Sequence, residues 1–126
     1  MRIIGGRLGG KTINPPAGYA ARPTTDFARE GLFNVLGNEY EFEDLKVLDL
    51  FGGTGAVAFE FASRGAARVY SVEMSRENAS FIKTEAARLG FSRIFVSSFS
   101  SMDLTPSGIE VVKVADVPQL VRTLFK

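Results

Sequence analysis

Residue types and spacing point most directly to chemistry in the segment Asp49-Leu50-Phe51-Gly52-Gly53-Thr54-Gly55. Glycines let a chain turn sharply and leave no Cβ between main chain and ligand. A helix that starts directly after them offers unpaired N–H groups. Asp49 interrupts an apolar run, and a charge placed there needs a compensating partner. Glu73 lies 18 residues after Gly55, at the end of a second apolar run. A carboxylate there can accept hydrogen bonds from both hydroxyls of a ribose. Asp116 stands just past a third run, Ile109 to Val114, and could accept from an adenine amino group. Asp103 is its rival if Ile94 to Ser97 is the true third strand. Structural roles stand beside these: Glu73 as a helix cap or surface charge, Asp116 as the cap of a helix opened by Pro118.

The elements that must position these residues alternate. Val47 to Phe51 is a short apolar run suited to a buried strand, and the glycines lead from it into a helix from Ala56 to Arg64, stopped by Gly65. Arg68 to Glu73 is the next strand. Ser75 can cap a further helix, with Ala79, Ile82, Ala86 and Leu89 at helical spacing and Gly90 as its end. Strand and helix in alternation imply an α/β fold with parallel strands and right-handed crossovers. The serine-rich stretch 91–108 reads as a long loop, with a short strand at Ile94-Phe95-Val96 as the alternative. Upstream, Thr24, Thr25 and Asp26 can cap a helix whose apolar face is Phe27, Ala28, Leu32, Val35 and Leu36, with Gly37 as its stop.

Composition bounds the function. The 126 residues suit one domain, and 45% hydrophobic with 23% charged residues is an ordinary globular balance. No apolar run approaches a membrane span, and the N-terminus lacks a signal-peptide core, so a cytoplasmic protein with no membrane partner is expected. The absence of cysteine and histidine excludes disulfides, thiolate or imidazole metal sites and His-dependent nucleophiles. Net charge is only +1, but it is unevenly spread: residues 1–22 hold Arg2, Arg7, Lys11 and Arg22 with no acid, and the remainder is net acidic. The segment Arg2 to Ile13 reads as a β-ribbon with paired glycines. A basic ribbon of this kind suits phosphates, although four solvated surface charges would look the same. The chain divides into a basic ribbon and loop, 1–22, and a Rossmann-like domain, 23–126.

Gly53-Thr54-Gly55-Ala56-Val57-Ala58 also fits the dinucleotide fingerprint, which would make the protein a nicotinamide oxidoreductase. Asp49 and the residues preceding it argue against this, because strands before that fingerprint are normally apolar throughout. Asp-Leu-Phe-Gly-Gly-Thr-Gly instead resembles the S-adenosylmethionine loop of class I methyltransferases. Together with Met1 to Gly6, Arg22-Pro23-Thr24-Thr25-Asp26, Glu30 to Asn34 and Ser63 to Ala66, it resembles the RsmD family. These are bacterial enzymes that methylate the exocyclic N2 of a guanine in 16S ribosomal RNA. The resemblance implies a Rossmann-like class I methyltransferase fold behind an N-terminal β-ribbon. It implies S-adenosylmethionine as cofactor, lined by Asp49, Phe51, Gly52, Gly53, Thr54 and Gly55. Glu73 would hold the ribose, Asp116 the adenine, and Thr24 and Thr25 would border the methionine end. Arg2, Arg7, Lys11 and Arg22 would grip ribosomal RNA, and the complete protein would be a monomer without metal.

The sequence departs from this family in one respect. Its members resemble one another in carrying Asn/Asp-Pro-Pro-Tyr/Phe after the fourth strand, and this sequence reaches Lys126 without it. Asn14-Pro15-Pro16-Ala17 precedes the first strand, lacks the aromatic and reads as a rigid loop. A complete sheet of this class has seven strands, so the expectation is a fragment, and no catalytic residue is assigned. The non-enzymatic alternative is a module that only binds RNA or the cofactor.

Overall fold

A computed structural model describes residues 1–16, 18, 25–50, 53–73 and 75–98. The elements run α1 (Asp26–Glu39), a 3-10 turn (Phe42–Asp44), β1 (Lys46–Asp49), α2 (Ala56–Ser63), β2 (Arg68–Glu73), α3 (Arg76–Arg88) and β3 (Ile94–Ser98). The three strands form a parallel sheet in the order β1-β2-β3. Two right-handed crossovers in the same direction place α2 and α3 on one face. Register aligns Val47 with Val69 and Val69 with Ile94, then Asp49 with Ser71 and Ser71 with Val96. The core therefore joins Val69, Ile94 and Val96 to Ala58 and Phe59 of α2 and Ile82 of α3.

Local signals explain most boundaries. Ser75 accepts from the Asn78 N–H at 3.2 Å to start α3, and Gly90 ends it at φ +80°. Gly65, at φ +98°, follows α2 in the same way. The third strand corrects the expectation of a long loop from 91 to 108: Ile94–Ser98 pairs with β2 along its whole length. Connections from a helix to the next strand are typically about two to six residues long, and the strand begins that soon after α3. Residues 109–114 and 116–126, expected as strand, acid and final helix, lie outside the described residues.

The first helix also differs from expectation. It runs past Gly37 to Glu39, and Phe27 (88% exposed), Leu32 and Val35 face outward, while Arg29 and Phe33 are buried. The cause is a set of distant partners. Phe33 packs edge-on against Phe61 of α2, with ring centroids 4.5 Å apart, and Arg29 meets the buried carboxylate of Glu60 at 3.1 Å. A paired guanidinium and an aromatic contact outweigh the local apolar stripe, because an unpaired buried Glu60 would be far more costly than exposed phenylalanine or leucine.

The N-terminal ribbon is short and closed by backbone bonds from Ile3 N–H to the Lys11 carbonyl and from Ile13 N–H to the Met1 carbonyl, both 2.9 Å. Ile3 and Ile13 enter the same core as the sheet and helices. The ribbon lies along α2: Met1 Sδ accepts from Thr54 at one end, and at the other Arg7 N–H donates to the Ser63 carbonyl and Leu8 N–H to Ser63 Oγ. Gly6 makes this approach possible. At φ +77°, a Cβ there would sit 2.1 Å from the Ser63 carbonyl oxygen. Gly6→Ala should therefore cost at least about 2 kcal/mol, from the left-handed backbone plus the collision. Urea unfolding monitored by circular dichroism measures it, and an unchanged midpoint would show that the ribbon does not dock in this way.

Candidate functional site

Asp49 and Glu73 end adjacent parallel strands at their carboxyl ends, and the register places Glu73 two residues beyond the partner of Asp49, Ser71. Because side chains alternate along a strand, Asp49, Ser71 and Glu73 belong to the same face, the one carrying α2 and α3. Asp49 is half-buried, and Glu73 is buried with a weak contact from Asn78 Nδ2 at 3.4 Å. The Ser71 hydroxyl is buried and has no hydrogen-bond partner among the described residues.

Between the two strands the chain bends through Gly53 (φ +57°), Thr54 and Gly55 (φ +83°). Gly55 is the cap residue of α2 and has no side chain to bond the helix's first N–H groups, the groups through which a helix start can hold an acceptor. A Cβ on Gly55 would lie 2.7 Å from the Phe59 ring and 3.3 Å from Ile82 Cγ1, so glycine is required for the bend to sit this close to α2 and α3. The arrangement can receive a ligand that is polar at one end and carries hydroxyls for the acids.

Phe51, Gly52, Arg22, Thr24, Asp103 and Asp116 lie outside the described residues. Thr25 is the cap of α1, its hydroxyl accepting from the Ala28 N–H at 3.1 Å. The ribbon's bases do not form one cluster. Arg2 faces Asp26 at 3.6 Å beside the start of α1, and Arg7 projects at the ribbon's far tip with its guanidinium 5.9 Å from the Phe91 ring centroid. Lys11 is exposed on the second half of the ribbon. Among the described residues no cluster of three or more acids could hold a metal, and no helix is long and apolar enough to cross a membrane.

Sequence reasoning missed Glu60, to which it gave no role. Its carboxylate is fully buried and accepts from the Ile4 and Gly5 N–H groups, Arg29 Nε and Arg64 Nε, all between 2.9 and 3.1 Å. Arg29 also reaches Asp26 at 3.0 Å and the Arg2 carbonyl. One acid thus binds the ribbon, the Thr25-Asp26 turn and the helix behind the glycine bend into a unit. Burial alone would raise the Glu60 pKa, but the N–H of Ile4, Arg64, the N–H of Gly5 and Arg29 together hold it below the ordinary value. The signal available in sequence was an acid in the middle of a helix otherwise built of Ala, Val and Phe.

A parallel sheet with helices, a glycine bend and acids at successive strand ends defines the Rossmann-like fold of class I methyltransferases, here in part. Solved structures agree. "Putative methyltransferase yhhF" of Escherichia coli is 34% identical, with a TM-score of 0.68, over 78% of this chain and 51% of that one. A hypothetical protein of Thermus thermophilus is 32% identical, with a TM-score of 0.69, over 85% and 56%. The chain belongs to the family described as conserved hypothetical protein 95, matched over residues 1–114, which bears out the RsmD resemblance. The Escherichia coli K12 protein named "Ribosomal RNA small subunit methyltransferase D" is 37% identical over 119 residues, covering 89% of this chain. The chain spans 58% of that relative's length.

Proposed function

We propose that this chain binds S-adenosylmethionine and serves methyl transfer to the exocyclic N2 of a guanine in small-subunit ribosomal RNA. The observation that carries this reading is the glycine bend between β1 and α2, flanked by carboxylates at the ends of two neighbouring strands. The donor and acceptor set suits the cofactor. In this proposal Asp49, Phe51, Gly52, Gly53, Thr54 and Gly55 line the methionine portion, with the start of α2 toward its carboxylate. Glu73 accepts from the ribose hydroxyls. With Ile94–Ser98 as the third strand, Asp103 follows it more closely in sequence than Asp116 and is the adenine-side acid in this proposal. Thr24 and Thr25 border the methionine end, where the Arg29–Glu60 pair steadies the start of α1.

When bound, the cofactor supplies an electrophilic methyl group on a sulfonium. This chain's residues then act by orientation: the glycine bend and Glu73 fix the nucleoside so that its methyl group is held in place for attack. The guanine must be unpaired or flipped to present its amino group. Arg2, Arg7, Lys11 and Arg22 supply phosphate contacts that orient the RNA without reading its sequence. Support for RNA as substrate comes from the name of the Escherichia coli relative.

Titration calorimetry tests the cofactor assignment. Saturable binding of S-adenosylmethionine by the folded 126-residue protein, with no binding of NAD, is the expected result. A folded protein that takes up NAD and ignores S-adenosylmethionine would defeat it. Transfer of a labelled methyl group to small-subunit rRNA would separate an enzyme from a module that only binds.

A further inference from the structure

The end of the sheet opposite the glycine bend has a cavity of its own, of about 180 Å³. It lies where the connections entering β2 and β3 meet the tip of the ribbon. Ala62, Ala66 and Phe91 make its apolar floor, and Arg7, Ser92 and Arg93 stand at its exposed rim. Among the described residues neither Arg7 nor Arg93 is in an ion pair. The contact with Phe91 holds Arg7 against the wall by a cation–π attraction that leaves its positive charge uncancelled.

The balance of charge decides what can bind. The carboxyl ends of α2 and α3 approach this place, and each brings roughly half a negative charge. Arg7 and Arg93 supply two positive charges against these half-charges and the Glu43 carboxylate beside Gly65, and their guanidiniums are the donors that the rim offers. Volume decides further: pockets for whole small molecules run from about 300 Å³ upward, so this notch suits a phosphate group rather than an entire nucleotide. Paired arginines are the usual partners of phosphate oxygens, and the Ser92 hydroxyl adds a donor.

We propose that this notch holds a backbone phosphate of RNA, a second contact remote from the cofactor end. The proposal rests on the RNA-directed function above. The two ends of the six-residue strand β2 are about 20 Å apart, so the RNA held at the notch lies several nucleotides from the base presented at the glycine bend. Arg7 and Arg93 thereby fix how the strand runs across the domain.

The test uses the folded 126-residue protein and a fluorescently labelled hairpin of small-subunit rRNA, with anisotropy read at several salt concentrations. Arg93→Gln should weaken binding about threefold to tenfold and lower the slope of log affinity against log salt by about one. Lys83→Gln, on α3, should change neither, and S-adenosylmethionine binding by calorimetry should be the same in all three proteins. Wild-type affinity and slope in Arg93→Gln would overturn the proposal. So would a lowered thermal midpoint with RNA binding intact, which would make the arginines mere balances for the helix ends. Micromolar binding of inorganic phosphate that depends on Arg93 and leaves the RNA complex undisturbed would assign the notch to free phosphate and also overturn it. Protein that takes up cofactor but no RNA overturns the notch alone. RNA binding that depends on Arg93, without cofactor binding, supports the notch and removes the methyltransferase reading.

Discussion

Glu60→Ala is expected to lose about 3–5 kcal/mol of folding stability, the range for deleting one partner of a buried ion pair. Ordinary domains have only about 5–15 kcal/mol in total, so the variant should be unfolded or nearly so at moderate temperature. The deletion leaves the Arg29 guanidinium, 1% exposed, with Asp26 as its remaining acid among the described residues, and takes their acceptor from the Ile4 and Gly5 N–H groups. Arg29→Met with Glu60→Leu should lose less than the sum of the single changes, because it removes both charges together. It should not recover fully, since the two N–H groups still lack their acceptor. The same geometry sets an acid limit. The Glu60 pKa is lowered on folding, so its contribution is present above the unfolded value, near pH 4.5, and is lost as pH falls through the lower folded value. Asp26 moves in the same direction: burial raises its pKa, but its bonds to Arg29 and the Arg2 backbone N–H, with the nearby positive charges, together lower it. Urea unfolding measured at pH 7 and below pH 4 checks both statements. A Glu60→Ala protein within about 1 kcal/mol of wild type would show that the pair does not hold the ribbon and α1 together.

What the sequence disclosed and what it withheld follow from the range of the interactions. The strand Arg68–Glu73, the helix capped by Ser75 and the glycine bend were legible because each is written in neighbouring residues: apolar runs, a hydroxyl cap, glycines at positive φ. The orientation of α1 was not. Its apolar stripe of Phe27, Leu32 and Val35 is a valid local signal, but the face is chosen by Glu60 and Phe61, some thirty residues away, and periodicity carries no trace of them. The third strand was obscured by composition. Ser97 and Ser98 have little strand preference, yet the short link after Gly90 and the pairing with a buried β2 place Ile94 and Val96 in the core. The Arg7–Arg93 notch was invisible for the same reason as the ion pair: its residues are 86 positions apart in the chain.

Glu73→Ala is expected to weaken S-adenosylmethionine binding about tenfold to a hundredfold. A hydrogen bond to a charged acceptor contributes about 1.5–3 kcal/mol, and about 1.4 kcal/mol is a factor of ten, so losing even one ribose hydroxyl gives the lower figure and losing two gives the upper. Glu73→Gln keeps one acceptor oxygen and should fall between. Stability separates this acid from Glu60. Glu73 lies past the last β1 pairing of β2, and the backbone ladder that pairs the strands does not run through its side chain. The free protein should therefore melt within about 1 kcal/mol of wild type, while the stabilisation produced by saturating cofactor, which scales with the logarithm of ligand over Kd, should shrink by the amount of affinity lost. Two acids, similarly buried, thus predict opposite signatures: removing Glu60 destroys the fold, and removing Glu73 spares the fold but costs the ligand. A Glu73→Ala protein that binds S-adenosylmethionine as tightly as wild type would place the ribose elsewhere and leave the glycine bend without its nucleoside.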